Sequence, residues 1–97
     1  MPEVNFTIRW PDGTEERCYS PSTAILDHLQ AGGAYALPDF LARARKGLKA
    51  ASDRVEARFG FACSSALDQL SRIETRAAGQ SPGGVVTCLS IDQGGSR

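Results

Sequence analysis

The stretch VNFTIRWPDGTEERCYS (Val4–Ser20) decides how the chain begins to fold. Val4, Phe6, Ile8 and Trp10 alternate with Asn5, Thr7 and Arg9, the period-two pattern of a strand with one buried face. The Trp-Pro-Asp-Gly that follows has the chemistry of a type I turn. Pro11 pre-sets the first central φ, Asp12 suits the second, and Gly13 takes a left-handed position. A three-residue loop ending in such a glycine closes a bulged hairpin. That loop sets the register: Trp10 faces Thr14, Ile8 faces Glu16, Phe6 faces Cys18 and Val4 faces Ser20. Arg9 meets Glu15, Thr7 meets Arg17 and Asn5 meets Tyr19 on the other face. Cys18 then packs beside Phe6. Glu16 opposite Ile8 is the awkward residue, pointing either to an open end of the core or to a slipped register. Most of the stretch is accounted for by folding, while Trp10 and Tyr19 belong to residue types enriched at interfaces.

Outward from the hairpin the chain is harder to read, then easier. Ser22–Leu29 reads either as a short helix capped by Ser22 or as an extended segment, since Pro21, Thr23 and Ile25 do not favour helix. Gly32-Gly33 ends it. From Pro38 to Gly60 the periodicity predicts a helix, with Leu37, Leu41, Ala44, Leu48, Ala51, Val55 and Phe59 on one apolar stripe. Pro38 suits a first turn and Gly60 a stop. At ~22 residues this helix would run ~33 Å. Gly47 falls off that stripe, which suggests a close approach by another element. A second helix is expected after Cys63, capped by Ser64 or Ser65, with Ser65 and Asp68 resembling a capping box. Its inner stripe is Ala66, Leu70, Ile73 and Ala77, and Gly79 stops it. The short link predicts an antiparallel helical hairpin. Ser-Pro-Gly-Gly then turns into the β-branched strand Val85–Ile91. The expected fold is α+β: a β-hairpin, a short irregular or helical element, an αα-hairpin and a C-terminal strand. These make a two-layer sandwich of a three-stranded sheet and two helices. Residues 1–91 form one domain, and 92–97 are expected to be a flexible tail.

The totals narrow the function classes. The 97 residues carry 11 Lys+Arg and 11 Asp+Glu, a formal net charge of zero, which argues against a dedicated nucleic-acid binder. No apolar run approaches the ~18–20 residues that span a bilayer, so no membrane partner is expected. The N-terminus lacks the basic and apolar regions of a signal peptide. Cys18, Cys63 and Cys88 are odd in number and widely spaced, which is no disulfide framework and suits a reducing, cytoplasmic compartment.

Reactive chemistry is sparse. The three cysteines and the single histidine, His28, lack the local spacing of zinc ligands, and the cysteines read as small buried hydrophobes. No metal site and no cofactor are expected. Cys63 is the reactive-thiol candidate, because it lies just before a helix N-terminus where the dipole favours a thiolate. Asp27 beside His28 comes with no evident nucleophile, so no catalytic set is assigned. Between Pro38 and Gly60 the long helix carries six cations against three carboxylates. That bias could steer an acidic partner or a phosphate ligand, or could simply solvate the helix. The binding candidates are therefore Trp10, Tyr19 and Tyr35 with Arg43, Lys46 and Arg54.

Several stretches are similar to one small bacterial family. They are FTIRWPDGTEERCYSPS (Phe6–Ser22), the spacing of Tyr35, Leu37 and Phe40, ASDRVEARFGFACSSALDQLSRIE (Ala51–Glu74) and the closing strand. Together they resemble the nitrogen-starvation-response family, over nearly the whole chain. The two long stretches carry the specificity, and the tail after Ile91 matches nothing distinctive. The resemblance implies a setting beside a nitrilase, a radical-SAM protein, an acetyltransferase, a flavin-dependent oxidoreductase and an AIR-synthase-like protein, in nitrile or cyanide nitrogen assimilation. It implies no reaction and no catalytic residues. Three roles follow as expectations. The first is a non-catalytic accessory module that binds another protein of the pathway. The second is a sensor of a small metabolite, and the third a Cys63-dependent enzyme. Pairing of an exposed sheet edge would add a homodimer.

Overall fold

The hairpin forms as its turn chemistry dictates. A computed structural model of the chain describes residues 3–60 and 64–92. In it β1 (Val4–Arg9) and β2 (Glu15–Ser20) pair antiparallel, from Val4 opposite Ser20 to Arg9 opposite Glu15. Gly13 sits at φ 90°, where an L side chain would be strained. Its N–H donates to the Trp10 carbonyl at 2.8 Å, and the Trp10 N–H donates to the Thr14 carbonyl at 2.8 Å. The register is not slipped at Glu16. Trp10 Nε1 donates to Glu16 Oε1 at 2.8 Å, and Arg76 Nη1 stands 3.8 Å from the same oxygen. A carboxylate is tolerated on the apolar face because it satisfies a buried indole N–H.

The turn is also tied to the far end of the domain. Asp12 accepts from the Thr14 hydroxyl at 2.6 Å and from the Thr14 N–H at 2.9 Å. Gln80 Nε2 donates to the same carboxylate at 3.2 Å, while the Asp12 N–H donates to Gln80 Oε1 at 3.2 Å. These donors, the Thr14 hydroxyl first, pull the Asp12 carboxyl down from 3.8 to about 2. A depressed folded-state value makes the contribution present above the unfolded value and lost as pH falls from 3.8 towards 2. Melting temperatures across this range should fall less steeply for Asp12→Asn than for the parent chain; equal slopes would mean the clamp contributes nothing.

The segment that resisted reading contains two elements. A 3₁₀ helix covers Thr23–Asp27, with the Ser22 hydroxyl accepting from the Ala24 N–H at 3.1 Å. A third strand, β3 (Ala34–Ala36), pairs antiparallel with β4 (Val85–Asp92). The sheet therefore has four strands, not three, in the order β2-β1-β4-β3. Ala-Tyr-Ala is too short to show an alternation, and it runs straight into a helix, which hid it. A bulge in the β1–β4 ladder places Phe6 opposite Ile91 and Ile8 opposite Cys88. The extra residue reverses the alternation, so Cys88 and Ile91 both face the core.

Helix α1 covers Leu37–Phe59 with Pro38 in its first turn, and the Gly60 N–H caps it by donating to the Glu56 carbonyl at 2.8 Å. Its buried face is Leu37, Phe40, Ala44, Gly47, Leu48, Ala51 and Ser52. The expected stripe fails at its distal end: Val55 is half-buried and Phe59 is 54% exposed. A helix of 23 residues is ~34 Å long, and its last turns are largely exposed. Gly47 lies on the buried face rather than off it. The close approach it signals is real: a Cβ there would run into Ile25 Cδ1 and come within 3.2 Å of Ile25 Cα. Helix α2 covers Ser64–Ala78 and buries Ala66, Gln69, Ile73 and Ala77, while Leu70 is only half-buried. Gln69 is inside because its carboxamide oxygen accepts the Tyr19 N–H at 3.1 Å, covering part of the exposed edge of β2. Ser64 and Ser65 both lie within the helix, so the position before it falls outside the described residues. Asp68 pairs with Arg72 at 3.1 Å rather than closing a capping box. The helices run antiparallel, bridged by Arg45 and Glu74 at 2.7 Å.

Both helices cover the sheet face that carries Val4, Phe6, Ile8, Trp10, Cys18 and Val86. Trp10 packs edge-on to Phe40 with centroids 5.8 Å apart. Among the described residues, no helix is long and apolar enough to cross a membrane.

Candidate polar cleft beside the long helix

Tyr35 comes to this site because β3 holds it opposite Val86, on the helix side of the sheet. Helix α1 begins immediately after β3, so Arg43 arrives two turns later beside the same ring. The Arg43 guanidinium lies 4.8 Å from the Tyr35 ring centroid, a cation–π contact. Its Nε donates to Asp39 Oδ2 at 2.9 Å, and its Nη1 donates to the His28 carbonyl at 2.9 Å. The Gln30 N–H donates to the Tyr35 hydroxyl oxygen at 3.0 Å. Asp27, His28, Gln30, Tyr35 and Arg43 line one cleft of about 230 Å³ between the 3₁₀ helix, β3 and α1.

The close approach at Gly47 makes this cleft possible. It lets the 3₁₀ helix lie directly on α1, and the His28 ring reaches to within 3.4 Å of where a Gly47 Cβ would be. His28 is half-buried against the helix as a result.

The sequence-derived candidates are dispersed. Trp10 is 1% exposed in the core and contributes to no surface. Tyr19 is half-buried on the sheet face away from the helices, opposite Asn5. Tyr35 and Arg43 meet in the cleft. Lys46 and Arg54 are exposed on α1. The positions 43, 46, 50 and 54 recur at three- and four-residue steps, so Arg43, Lys46 and Arg54 share one flank of the helix. Among the described residues Lys46 and Arg54 form no ion pair, whereas Arg9, Arg43, Arg45, Arg72 and Arg76 do. Cys63 lies outside the described residues. Cys18 and Cys88 are buried and unbridged, and burial pushes both thiols up, away from the reactive thiolate. Among the described residues no three His, Cys, Asp or Glu side chains gather into a metal-holding group. Sequence reasoning weighed His28 only for catalysis or metal binding and did not single out Gln30. Neither carries a spacing signal, because the cleft is made by packing between distant segments.

Among known protein families, the one described as nitrogen starvation-induced protein NitG matches residues 5–91 of the chain. No curated protein and no solved structure matches it.

Proposed function

This chain belongs to the nitrogen starvation-induced protein NitG family, and from that premise we propose that it is a non-catalytic accessory module. It docks onto another protein, an enzyme of a bacterial pathway that assimilates nitrogen from nitriles or cyanide, and it works in the cytoplasm. The observation that carries this reading is the flank of α1 on which Arg43, Lys46 and Arg54 follow one another, Arg43 against the Tyr35 ring. Lys46 and Arg54 have no carboxylate partner within the described fold. Cations left uncommitted on one helix flank suit an acidic surface on a partner, and steer encounter with it. The test is binding of the purified chain to each enzyme of the pathway, with the parent and with the double variant Lys46→Glu, Arg54→Glu. The parent is expected to capture one of these enzymes. The variant should associate about tenfold or more slowly, with a weaker dependence on salt. Capture that is indifferent to both substitutions would remove the helix flank from the interface, and capture of no pathway enzyme would end the docking reading.

The cleft itself favours a second reading, a sensor of a small metabolite. Its volume of about 230 Å³ suits a molecule of only a few carbons. A ligand there would touch the 3₁₀ helix, β3 and α1 at once.

A further inference from the structure

The cleft holds more hydrogen-bond donors than its own residues use. Arg43 commits Nε to Asp39 and one Nη1 hydrogen to the His28 carbonyl, so both Nη2 hydrogens and the second Nη1 hydrogen remain. The Tyr35 oxygen accepts from Gln30, and its own hydrogen has no acceptor among the described residues. His28 is half-buried and contributes to the cleft wall, and its ring makes no hydrogen bond within the described fold. Three kinds of donor thus line one cavity. The carboxylates near them are Asp39, held by Arg43, and Asp27, exposed at the rim.

We infer that this cleft binds a small monocarboxylate, received by the remaining Arg43 edge together with the Tyr35 hydroxyl and the His28 ring. The inference rests on the sensor reading and names its ligand class. A carboxylate fits a planar guanidinium edge in two parallel hydrogen bonds. The site's fixed charges set the selectivity. Asp39 neutralises Arg43, Lys46 adds one positive charge on the neighbouring turn, and Asp27 adds one negative charge at the rim. Two cations and two carboxylates leave a nearly neutral, donor-rich cleft, which suits a single negative charge better than the two of a phosphate dianion. The Tyr35 ring, 4.8 Å from Arg43 Cζ, and the bonds to Asp39 and the His28 carbonyl hold the guanidinium in place before any ligand arrives, which reduces the ordering that binding requires.

His28 is the single histidine of the chain, so its ring protons report on the cleft without ambiguity. The experiment is a proton NMR titration at constant pH and ionic strength with acetate, propionate and butyrate, and in parallel with propionamide and inorganic phosphate. One or more of the monocarboxylates should move the His28 ring resonances saturably, with the amide and phosphate much weaker. Tyr35→Phe, which keeps the ring under Arg43 and removes the hydroxyl, should weaken that binding by about twofold to tenfold. Arg43→Gln should weaken it by about tenfold or more. If propionamide binds as well as propionate, or phosphate binds better, the ligand class is wrong while the sensor reading stands. If no probe moves His28, the carboxylate site falls, while the wider sensor reading and docking through Lys46 and Arg54 are untouched.

Discussion

Replacing Trp10 by alanine should remove about 3–5 kcal/mol of stability. A domain of this size has roughly 5–15 kcal/mol in total, so the variant sits near the edge of folding. The reason is position as much as size. Trp10 is 1% exposed at the end of the strand that runs through the middle of the core, with Phe40 edge-on at 5.8 Å. Its removal leaves a void between β1 and α1 that the backbone of two regular elements cannot close. It also takes from Glu16 the indole N–H that it accepts on that face, leaving Arg76 at 3.8 Å as its partner. Urea titrations followed by circular dichroism give the measurement, since the substitution removes the chain's one tryptophan as a fluorescent reporter. Trp10→Phe separates the two effects. It keeps an aromatic ring, loses the hydrogen bond, and should be lowered by about 1 kcal/mol beyond its packing change. A loss below about 1 kcal/mol for the alanine variant would contradict the placement of Trp10 at the centre of the core.

Gly47→Val is the second large effect, and its sign is set by competing terms. Removing a mid-helix glycine should help, by up to about 1 kcal/mol for alanine and less for valine. Against this, a Cβ at residue 47 meets Ile25 Cδ1, which is fully buried, and stands 3.2 Å from Ile25 Cα, which is backbone. The Ile25 side chain could rotate only into occupied core, and the 3₁₀ helix would have to lift away from α1. Overpacking of this kind costs about 1–3 kcal/mol for modest insertions, and valine adds two further methyl groups. A net loss of about 2 kcal/mol or more is expected for valine, with alanine intermediate. Because the His28 ring lies against the same point, the substitution should also shift the His28 NMR signals in the absence of any ligand. A stabilised Gly47→Val with an unmoved His28 would show that the two elements are not in the contact described.

The hairpin was legible because its information is local. Proline, aspartate and glycine set the turn, and the turn sets the register without reference to anything else. The same holds for α1 and α2, whose periodicity and terminal glycines need no tertiary knowledge. Errors arose wherever another element decided the outcome. Val55 and Phe59 continue the apolar stripe in sequence, but the fold leaves Val55 half-buried and Phe59 exposed. Gln69 displaces Leu70 from the inner face because an edge strand offers it a backbone N–H. Strand β3 has three residues and exists because β4 is there to receive it. The cleft was half-visible: Tyr35 and Arg43 stood among the candidates, but their meeting depends on the packing of the 3₁₀ helix against Gly47. Trp10 belongs to a residue type common at interfaces, but its own alternation with Ile8 and Phe6 places it inside.

The strand order bears on how quickly the chain can find its structure. β1 and β4 lie side by side at the middle of the sheet, with Asn5 opposite Asp92, although nearly the whole polypeptide separates them. Closing so long a loop delays the central ladder, and folding is expected to be slow for a domain with this much helix. A circular permutant that joins the two ends through a short linker and opens the chain between β2 and the 3₁₀ helix would turn that distant pairing into a neighbouring one. It should refold faster than the parent chain.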